Sequence, residues 1–248
     1  MSYQFTVSPD FSPEHISGWY IFNTWLQKNL GEAIHLEMYN DFHSQRAAIQ
    51  NDKIDLIYAN PYDAAMLVRE KGFQPLVKPE NVSDEAIVAV HADNASSAIE
   101  QLQPGLRVAV TEDPDVHMLG MIMLEPADLD NDNIQLQTYD SYVLVAKHLL
   151  QGDCDAGIFL AEAYDDLSSM IKKQMKILVR SQISVIYHSL LAGPSLLKRR
   201  AEMQNLLTAM STTEKGKGVL NSLGFSGWTV VDDEEMEFMI DLMDTLMI

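Results

Sequence analysis

The sequence is poor in several features that decide function. It holds one cysteine, Cys154, so no disulfide can form within the chain; that fits a reducing cytosol and also suits many periplasmic proteins. Basic residues are scarce, with 17 Lys and Arg against 36 Asp and Glu and a formal net charge of -19. A field of that sign disfavours nucleic acid and anionic membrane as partners and favours solubility. It also repels polyanionic ligands unless local geometry overrides it. No apolar run approaches the length of a membrane span, so no spanning segment is expected. The first residues, MSYQFTVSPD, have neither the basic nor the apolar region of a signal peptide. The expectation is a cytoplasmic protein, or a periplasmic one whose leader was removed. The histidines (His15, His35, His43, His91, His117, His148, His188) show no HxH or HExxH spacing, and Cys154 has no CxxC partner. Nucleophile-elbow and Walker signatures are missing too. No metal, cofactor or catalytic residue is expected.

What is present is ordinary globular material, 47% apolar and 21% charged, in a chain of 248 residues that is long enough for a substantial core. Tyr3–Val7 alternates as a first strand. Ser12-Pro13 reads as a cap with a first-turn proline, and Ile16, Trp19, Phe22, Leu26 and Leu30 continue a helical face to Gly31. Trp19 and Trp25 read as packing residues. Ile34–Met38 is a strand and Ser44–Gln50 a short helix. Ile54–Tyr58 is a strand leading into Asn60-Pro61-Tyr62-Asp63. There Asn60 suits an N-cap, Pro61 the first helical position and Asp63 the first turn, and Gly72 ends the helix. A strand that delivers a polar-aromatic turn into a helix N-terminus is where open parallel sheets place ligands. Tyr58, Asn60 and Tyr62 thus form one candidate lip of a site, although an ordinary capped turn with surface tyrosines explains the same spacing.

After a turn at Pro79-Glu80-Asn81 the pattern continues with a strand Ala86–His91 and a short helix Ala95–Gln101. A second alternating unit follows. It has strands at Arg107–Thr111, Ile134–Thr138, Ala156–Leu160 and Ile177–Arg180. Its helices run from Asp113 to about Glu125, over Ser141–Leu150 and over Ala161–Gln174. Val185–Leu191 is extended, and a helix opened by Gly193-Pro194-Ser195 runs to about Met210. Glu214–Leu220, extended Trp228–Val231 and a last helix capped by Asp232-Asp233 complete the chain. The methionine stripe of that helix (Met236, Met239, Met243) reads as packing surface. The alternation of strands and helices argues for parallel sheets with right-handed crossovers. Two α/β units joined by two crossing segments can form a cleft that closes by hinge motion.

Four segments carry a resemblance to a known family: Asp55–Pro61 (DLIYANP), Gln151–Gly157 (QGDCDAG), Ile186–Leu196 (IYHSLLAGPSL) and Leu223–Asp233 (LGFSGWTVVDD). In this order and spacing the chain resembles the type 2 periplasmic-binding-protein fold, and within it the solute-binding proteins of phosphate/phosphite/phosphonate ABC importers. The resemblance implies an α/β fold of two lobes, with a hinge of two crossover segments and a small-molecule ligand held between the lobes. Lobe one would be residues 1–83 plus 186–248, and lobe two residues 84–185. A transporter permease is the implied partner. Carried over by position, the ligand-facing candidates are Phe42, Tyr58 and Asn60, with Tyr62 beside them, on lobe one. On lobe two they are Tyr142 and Asp155, with His117 in the turn opposite. Asp155 would lie just before a strand at the cleft mouth, where it accepts hydrogen bonds from a ligand; a solvated loop aspartate is the plainer alternative.

The chain departs from the family at two places. Family members that bind phosphonate-like anions usually have a Ser-Thr-Ser-Gly-type run at a helix N-terminus of lobe two, where hydroxyls and N–H groups hold the oxyanion. Here that place reads Thr111-Glu112-Asp113-Pro114-Asp115-Val116-His117, with three carboxylates and a proline that lacks an N–H. Phe42 also stands where a tyrosine is expected. His117 with Asp113 and Asp115 could serve as a base or metal ligand, but a solvated histidine at a helix cap is the plainer reading. Three functions stay open: a solute-binding protein, whose ligand would then be neutral, zwitterionic or cationic; a cytoplasmic sensor or partner-binding relative; and a small-molecule enzyme on the same fold. The first is the expected one.

Overall fold

A computed structural model describes residues 2–10 and 13–246. Ser12, the expected cap, lies outside the described residues. In chain order the elements are β1 (Tyr3–Val7), α1 (Ile16–Leu30), β2 (Ile34–Met38), α2 (Phe42–Gln50), β3 (Leu56–Ala59), α3 (Pro61–Lys71) and β4 (Gln74–Pro79). Then come β5 (Ala86–His91), β6 (Arg107–Val110), α4 (Pro114–Leu124), β7 (Gln135–Thr138), α5 (Tyr142–Gln151), β8 (Ala156–Leu160), α6 (Ala161–Asp166), α7 (Ser169–Lys172) and β9 (Met175–Arg180). The last are β10 (Ser189–Ala192), α8 (Arg200–Thr208), α9 (Glu214–Leu223), β11 (Trp228–Val230) and α10 (Asp233–Leu246). They divide into two compact units. Unit one takes the described residues up to Val82 together with Tyr187–Thr245, and unit two takes Ser83–Ile186.

In unit one the strands lie in the order β11-β4-β10-β3-β1-β2. β1 runs parallel to both β2 and β3, with Phe5 opposite Leu36 and Leu56. β10 inserts antiparallel between β3 and β4. One face of the sheet packs Phe5, Trp19, Phe22, Leu26, Met203 and Trp228, which brings α1, α8 and α9 onto it. The other face packs Ile57, Leu67, Tyr187, Met236 and Met239 under α2, α3 and α10. The α10 methionine stripe is therefore core. Burying one such large apolar side chain is worth about 1.5–3 kcal/mol, and these two layers supply most of the unit's apolar burial. Ile16, expected on the buried face of α1, is exposed, because the α-helix proper begins only there, after a 3-10 turn at Pro13–His15.

Unit two has the strand order β7-β6-β8-β5-β9. β6 is parallel to β7 and β8, and β5 is antiparallel to β8 and β9. Ile87, Ala109, Val145, Leu149, Phe159 and Tyr164 fill one face beneath α5. Neither sheet is purely parallel, contrary to the alternation rule. The strands that carry the chain out of unit one and back, β5 and β10, are reached without a crossover helix and so run against their neighbours. Two further expectations fail locally. The helix read over Ala161–Gln174 is two short helices, because Ser168 caps a new start by accepting from the Ile171 N–H. Ala95–Gln101 is only a 3-10 turn at Ile99–Gln101.

Gly18 shows how closely α1 lies on α9. A Cβ there would stand 2.0 Å from the Ser222 carbonyl oxygen, a backbone atom that cannot turn aside, whereas a Cβ at exposed Gly218 meets nothing within 4 Å. Gly18→Ala should lower stability by about 1–3 kcal/mol or more through overpacking. Gly218→Ala should raise it by up to about 1 kcal/mol through helix propensity. Urea midpoints of the two variants check this, and a Gly18→Ala protein as stable as wild type would disprove the close approach.

Candidate functional site

Polar side chains gather at the carboxyl edge of each sheet, where chain direction forces turns and helix starts together. In unit one β1, β2 and β3 end side by side. The turns after them carry Ser8 to Asp10, Asp41 and Asn60. β10 arrives antiparallel with Ser189 opposite Ala59, which sets His188 at the same edge. Asn60 is fully buried. Its Oδ1 accepts the Asp63 N–H at 2.7 Å, and its amide donates to Ser8 Oγ at 3.2 Å and to Asp63 Oδ2 at 3.1 Å. Asp41 caps α2 by accepting the Ser44 N–H at 2.7 Å.

Arg46, one turn after Phe42, reaches across from α2 to α3. Its Nε and Nη2 donate to the two oxygens of Asp63 at 2.6 and 3.2 Å. Its guanidinium carbon lies 5.2 Å from the centre of the Phe42 ring and 4.9 Å from that of Tyr62, both within cation–π range. Tyr58 is buried, with Trp19 at 4.8 Å and His188 stacked on it at 5.4 Å. His188 Nε2 is 3.0 Å from Asp10 Oδ2. Burial alone would raise the Asp10 carboxyl. The charge and hydrogen bond of His188, with help from the Ser8 hydroxyl, outweigh it and hold the group below its ordinary value of 3.8.

In unit two the carboxyl edge follows β6 and β7. Asp113 is buried and caps α4, its Oδ1 accepting the N–H groups of Asp115 and Val116 at 3.2 Å each. Tyr142, at the start of α5, donates its hydroxyl to Asp113 Oδ2 at 2.8 Å. The N–H groups that would hold an oxyanion at this helix start thus serve a carboxylate of the chain itself. His117 donates its backbone N–H to the Asp113 carbonyl at 3.0 Å, and its half-buried ring is shifted down by desolvation. Glu85 precedes β5 at the same edge. It accepts the Ser181 hydroxyl and the N–H groups of Ile183 and Ser184 at 3.0 and 2.7 Å. Burial raises its carboxyl, and these bonds overcome that and bring it below 4.5.

The expected residues thus divide. Phe42, Tyr58, Asn60 and Tyr62 are brought together at the edge of unit one, and His117 and Tyr142 at that of unit two. Asp155 is not with them and needs correction. It precedes β8 next to the start of β6, at the opposite end of the strands from Asp113, since Val108 pairs in parallel with Ala156. There its carboxylate takes the Arg107 guanidinium at 2.7 and 3.0 Å and the Arg107 N–H at 3.0 Å. The pair joins two strand beginnings, so Asp155 is a structural residue. Arg46, Asp10 and Glu85 were missed. The spacing of Phe42 and Arg46, four residues apart, was the one sequence signal for the first. Cys154 is buried against Gln137 and Tyr139. Among the described residues no group of three or more His, Cys, Asp or Glu could hold a metal ion, and no helix is long and apolar enough to cross a membrane.

The Asp10 pairing gives a pH dependence of known sign. A carboxyl lowered on folding contributes stability that is full above its unfolded value, near 3.8, and is lost as pH falls through the lowered folded value. Asp10→Asn should therefore cost stability at neutral pH and flatten the acid limb below about pH 4. Urea midpoints of wild type and variant from neutral to acid pH measure this; parallel curves would refute the pairing.

The comparisons with known proteins concern the chain as a whole. Residues 5–236 match the family model described as the phosphonate ABC transporter periplasmic substrate-binding protein. No curated protein matches the sequence. Among solved structures the chain is similar to PhnD1 from Prochlorococcus marinus in complex with methylphosphonate. The TM-score is 0.83 at 11% identity, over 99% of this chain and 98% of that one. It is similar to a binding protein component of an ABC phosphonate transporter from Pseudomonas aeruginosa, with TM-score 0.80, 14% identity and coverage of 98% and 86%. It is also similar to a Xanthomonas citri protein bound to ATP, with TM-score 0.79, 14% identity and coverage of 99% and 98%. These likenesses establish the type 2 periplasmic-binding-protein fold. With the match over nearly its whole length, the chain belongs to the phosphonate ABC transporter periplasmic substrate-binding protein family.

Proposed function

We propose that this solute-binding protein works in the periplasm, takes a small ligand carrying a phosphorus oxyanion, and presents it to the permease of an ABC transporter. The observation that carries the reading is the gathering of capped helix starts and polar side chains at the carboxyl edges of the sheets, in a chain of this family. Open α/β sheets bind ligands at those edges. The relatives point to the ligand class: the Prochlorococcus marinus protein holds methylphosphonate and the Xanthomonas citri protein holds ATP. The proposed ligand contacts are Tyr62 and His188 in unit one and Tyr142 and His117 in unit two. Asn60, Phe42 and Tyr58 act beneath them as buried supports. Asp155, at the opposite end of the strands and paired with Arg107, is not among the proposed contacts.

A thermal-shift titration tests the reading. Methylphosphonate, phosphite, phosphate, ATP and a short alkanesulfonate are each added to the purified protein. A true ligand at a hundredfold excess over its dissociation constant should stabilise the protein by about 2.7 kcal/mol. At least one phosphorus oxyanion should do so more strongly than the sulfonate. No shift with any of the five would overturn the proposal.

A further inference from the structure

We infer that Glu85 is a positioning residue of the hinge: its carboxylate holds the returning crossover in one backbone conformation and ties it to the outgoing one, so that the two bend as one joint when a ligand binds. The inference goes beyond the function proposed above and rests on it only for the ligands used as probes.

Glu85 stands where the chain changes units. The chain leaves unit one after Val82 and re-enters it at Tyr187. Glu85 lies a few residues beyond the first boundary, and the groups it binds lie just before the second. Its carboxylate accepts the Ser181 hydroxyl, the Ile183 N–H at 3.0 Å and the Ser184 N–H at 2.7 Å. On the outgoing side it accepts the Ser83 hydroxyl at 3.3 Å. The Asp84 N–H donates to the Ile186 carbonyl at 2.8 Å. Ser181 accepts the Ala86 N–H on its hydroxyl and gives its own N–H to the Ala86 carbonyl, each at 2.9 Å. The ladder between β5 and β9 thus continues up to the carboxylate, and the two crossovers are bonded to each other along their length.

The backbone of the returning crossover needs such a hold. Ser184 has φ +61°, in the left-handed region. The other described non-glycine residues with positive φ are Asp52, Asn81 and Asp128, types whose short side chains suit that conformation. Serine has less intrinsic reason to adopt it. Here the successive N–H groups of Ile183 and Ser184 turn onto one carboxylate, the concavity by which backbone amides bind an anion. The chain fills this concavity with its own Glu85. At the far end Tyr187 is buried in unit one, with Lys78 Nζ 3.9 Å from the centre of its ring and Lys78 paired with Glu235 of α10. The returning crossover is therefore fixed on both sides of Val185 and Ile186. A joint with so few free residues loses little backbone entropy when it closes.

The test combines isothermal titration calorimetry with methylphosphonate and amide hydrogen exchange by NMR, on the full chain and two variants. Glu85→Gln keeps the length of the side chain but turns one acceptor into a donor. Glu85→Asp keeps the charge but loses the reach. By charge alone, Glu85→Gln should favour an anion, since a negative group leaves a chain of net charge -19, and Glu85→Asp should change nothing. The hinge role gives the opposite result. Both variants should keep the wild-type circular dichroism spectrum and bind about tenfold more weakly, because the binding-competent conformation is less populated. The Ile183 and Ser184 amides should exchange about tenfold or more faster, with those of β5 and β8 unchanged. Affinity in Glu85→Gln equal to or tighter than wild type, or unchanged exchange at Ile183 and Ser184, overturns the inference and leaves the proposed function standing. Wild-type protein that binds none of methylphosphonate, phosphite, phosphate and ATP overturns the proposed function, and the exchange rates then decide the inference alone. If neither variant folds, Ser181→Ala, which removes one donor to the carboxylate, takes their place: faster exchange at Ile183 and Ser184 supports the inference, and unchanged exchange overturns it.

Discussion

Unit one depends on the return of the chain as β10. This strand is buried throughout and pairs antiparallel with β3 on one side and β4 on the other. Without it, both neighbours would present unpaired N–H and C=O groups inside the unit, each costing as much as a lost hydrogen bond. All of Ser83–Ile186 intervenes in sequence between β4 and β10, so the sheet is complete only after unit two has been traversed. The register has consequences at both ends of the strand. At one end it sets His188 against Tyr58 and Asp10. At the other the Gly193 N–H donates to the Asp55 carbonyl at 2.8 Å, a position where a Cβ would meet the Phe73 ring at 3.0 Å. One antiparallel register therefore fixes the polar edge and the closely packed floor of the same sheet.

The excess of carboxylates is placed with the same economy. Many stand at helix starts: Asp41, Asp63, Asp113, Asp115, and Asp233 to Glu235 of α10. Each such position is favoured by the helix dipole by about 0.3–1 kcal/mol. Exposed pairs such as Arg69 with Asp241 and Asp244, or Arg180 with Asp165, are worth less than about 1 kcal/mol each and are screened by salt. Per group the two contributions are therefore of similar size. The caps bear on the proposed function as well, because helix starts lie at the carboxyl edges, where open α/β sheets bind ligands. Acid residues that stabilise the fold there oppose the approach of the anion proposed as ligand.

Much of this was legible in the sequence, and the illegible part has a common cause. The caps could be read because their partners are three residues away or fewer: Asn60 with Asp63, Asp113 with Asp115 and Val116. Proline at the first helical position, at Pro61 and Pro114, fixed both helix starts. The long-range partnerships could not be read. Arg46 and Asp63 are 17 residues apart, Asp155 and Arg107 are 48 apart, and His188 and Asp10 are 178 apart. Position within a family segment misled at Asp155 for the same reason. A residue just before a strand lies at the amino end of that strand, and only the parallel register with β6 shows that this is the edge away from Asp113. The antiparallel direction of β10 was hidden too, since an apolar run states that a strand exists and nothing of its sense.

Tyr58 shows how a residue that looks like a ligand platform can act at one remove. It has the aromatic character expected of a binding lip, yet it is buried. Trp19, Phe225 and Trp228 stand 4.8, 5.9 and 6.2 Å from its ring, and His188 stacks on the ring at 25°. Aromatic pairs of this kind contribute about 0.5–1.5 kcal/mol each beyond the area they bury. Turning the Tyr58 ring would break several of them at once, so its orientation is set by the core of unit one. The His188 imidazole inherits that orientation through stacking and is held along a second direction by Asp10. A side chain held on two sides before a ligand arrives loses little freedom on binding. In this edge the hydrophobic core and the polar site are one construction: α1 and β11 supply the tryptophans that hold the tyrosine, and the tyrosine aims the histidine.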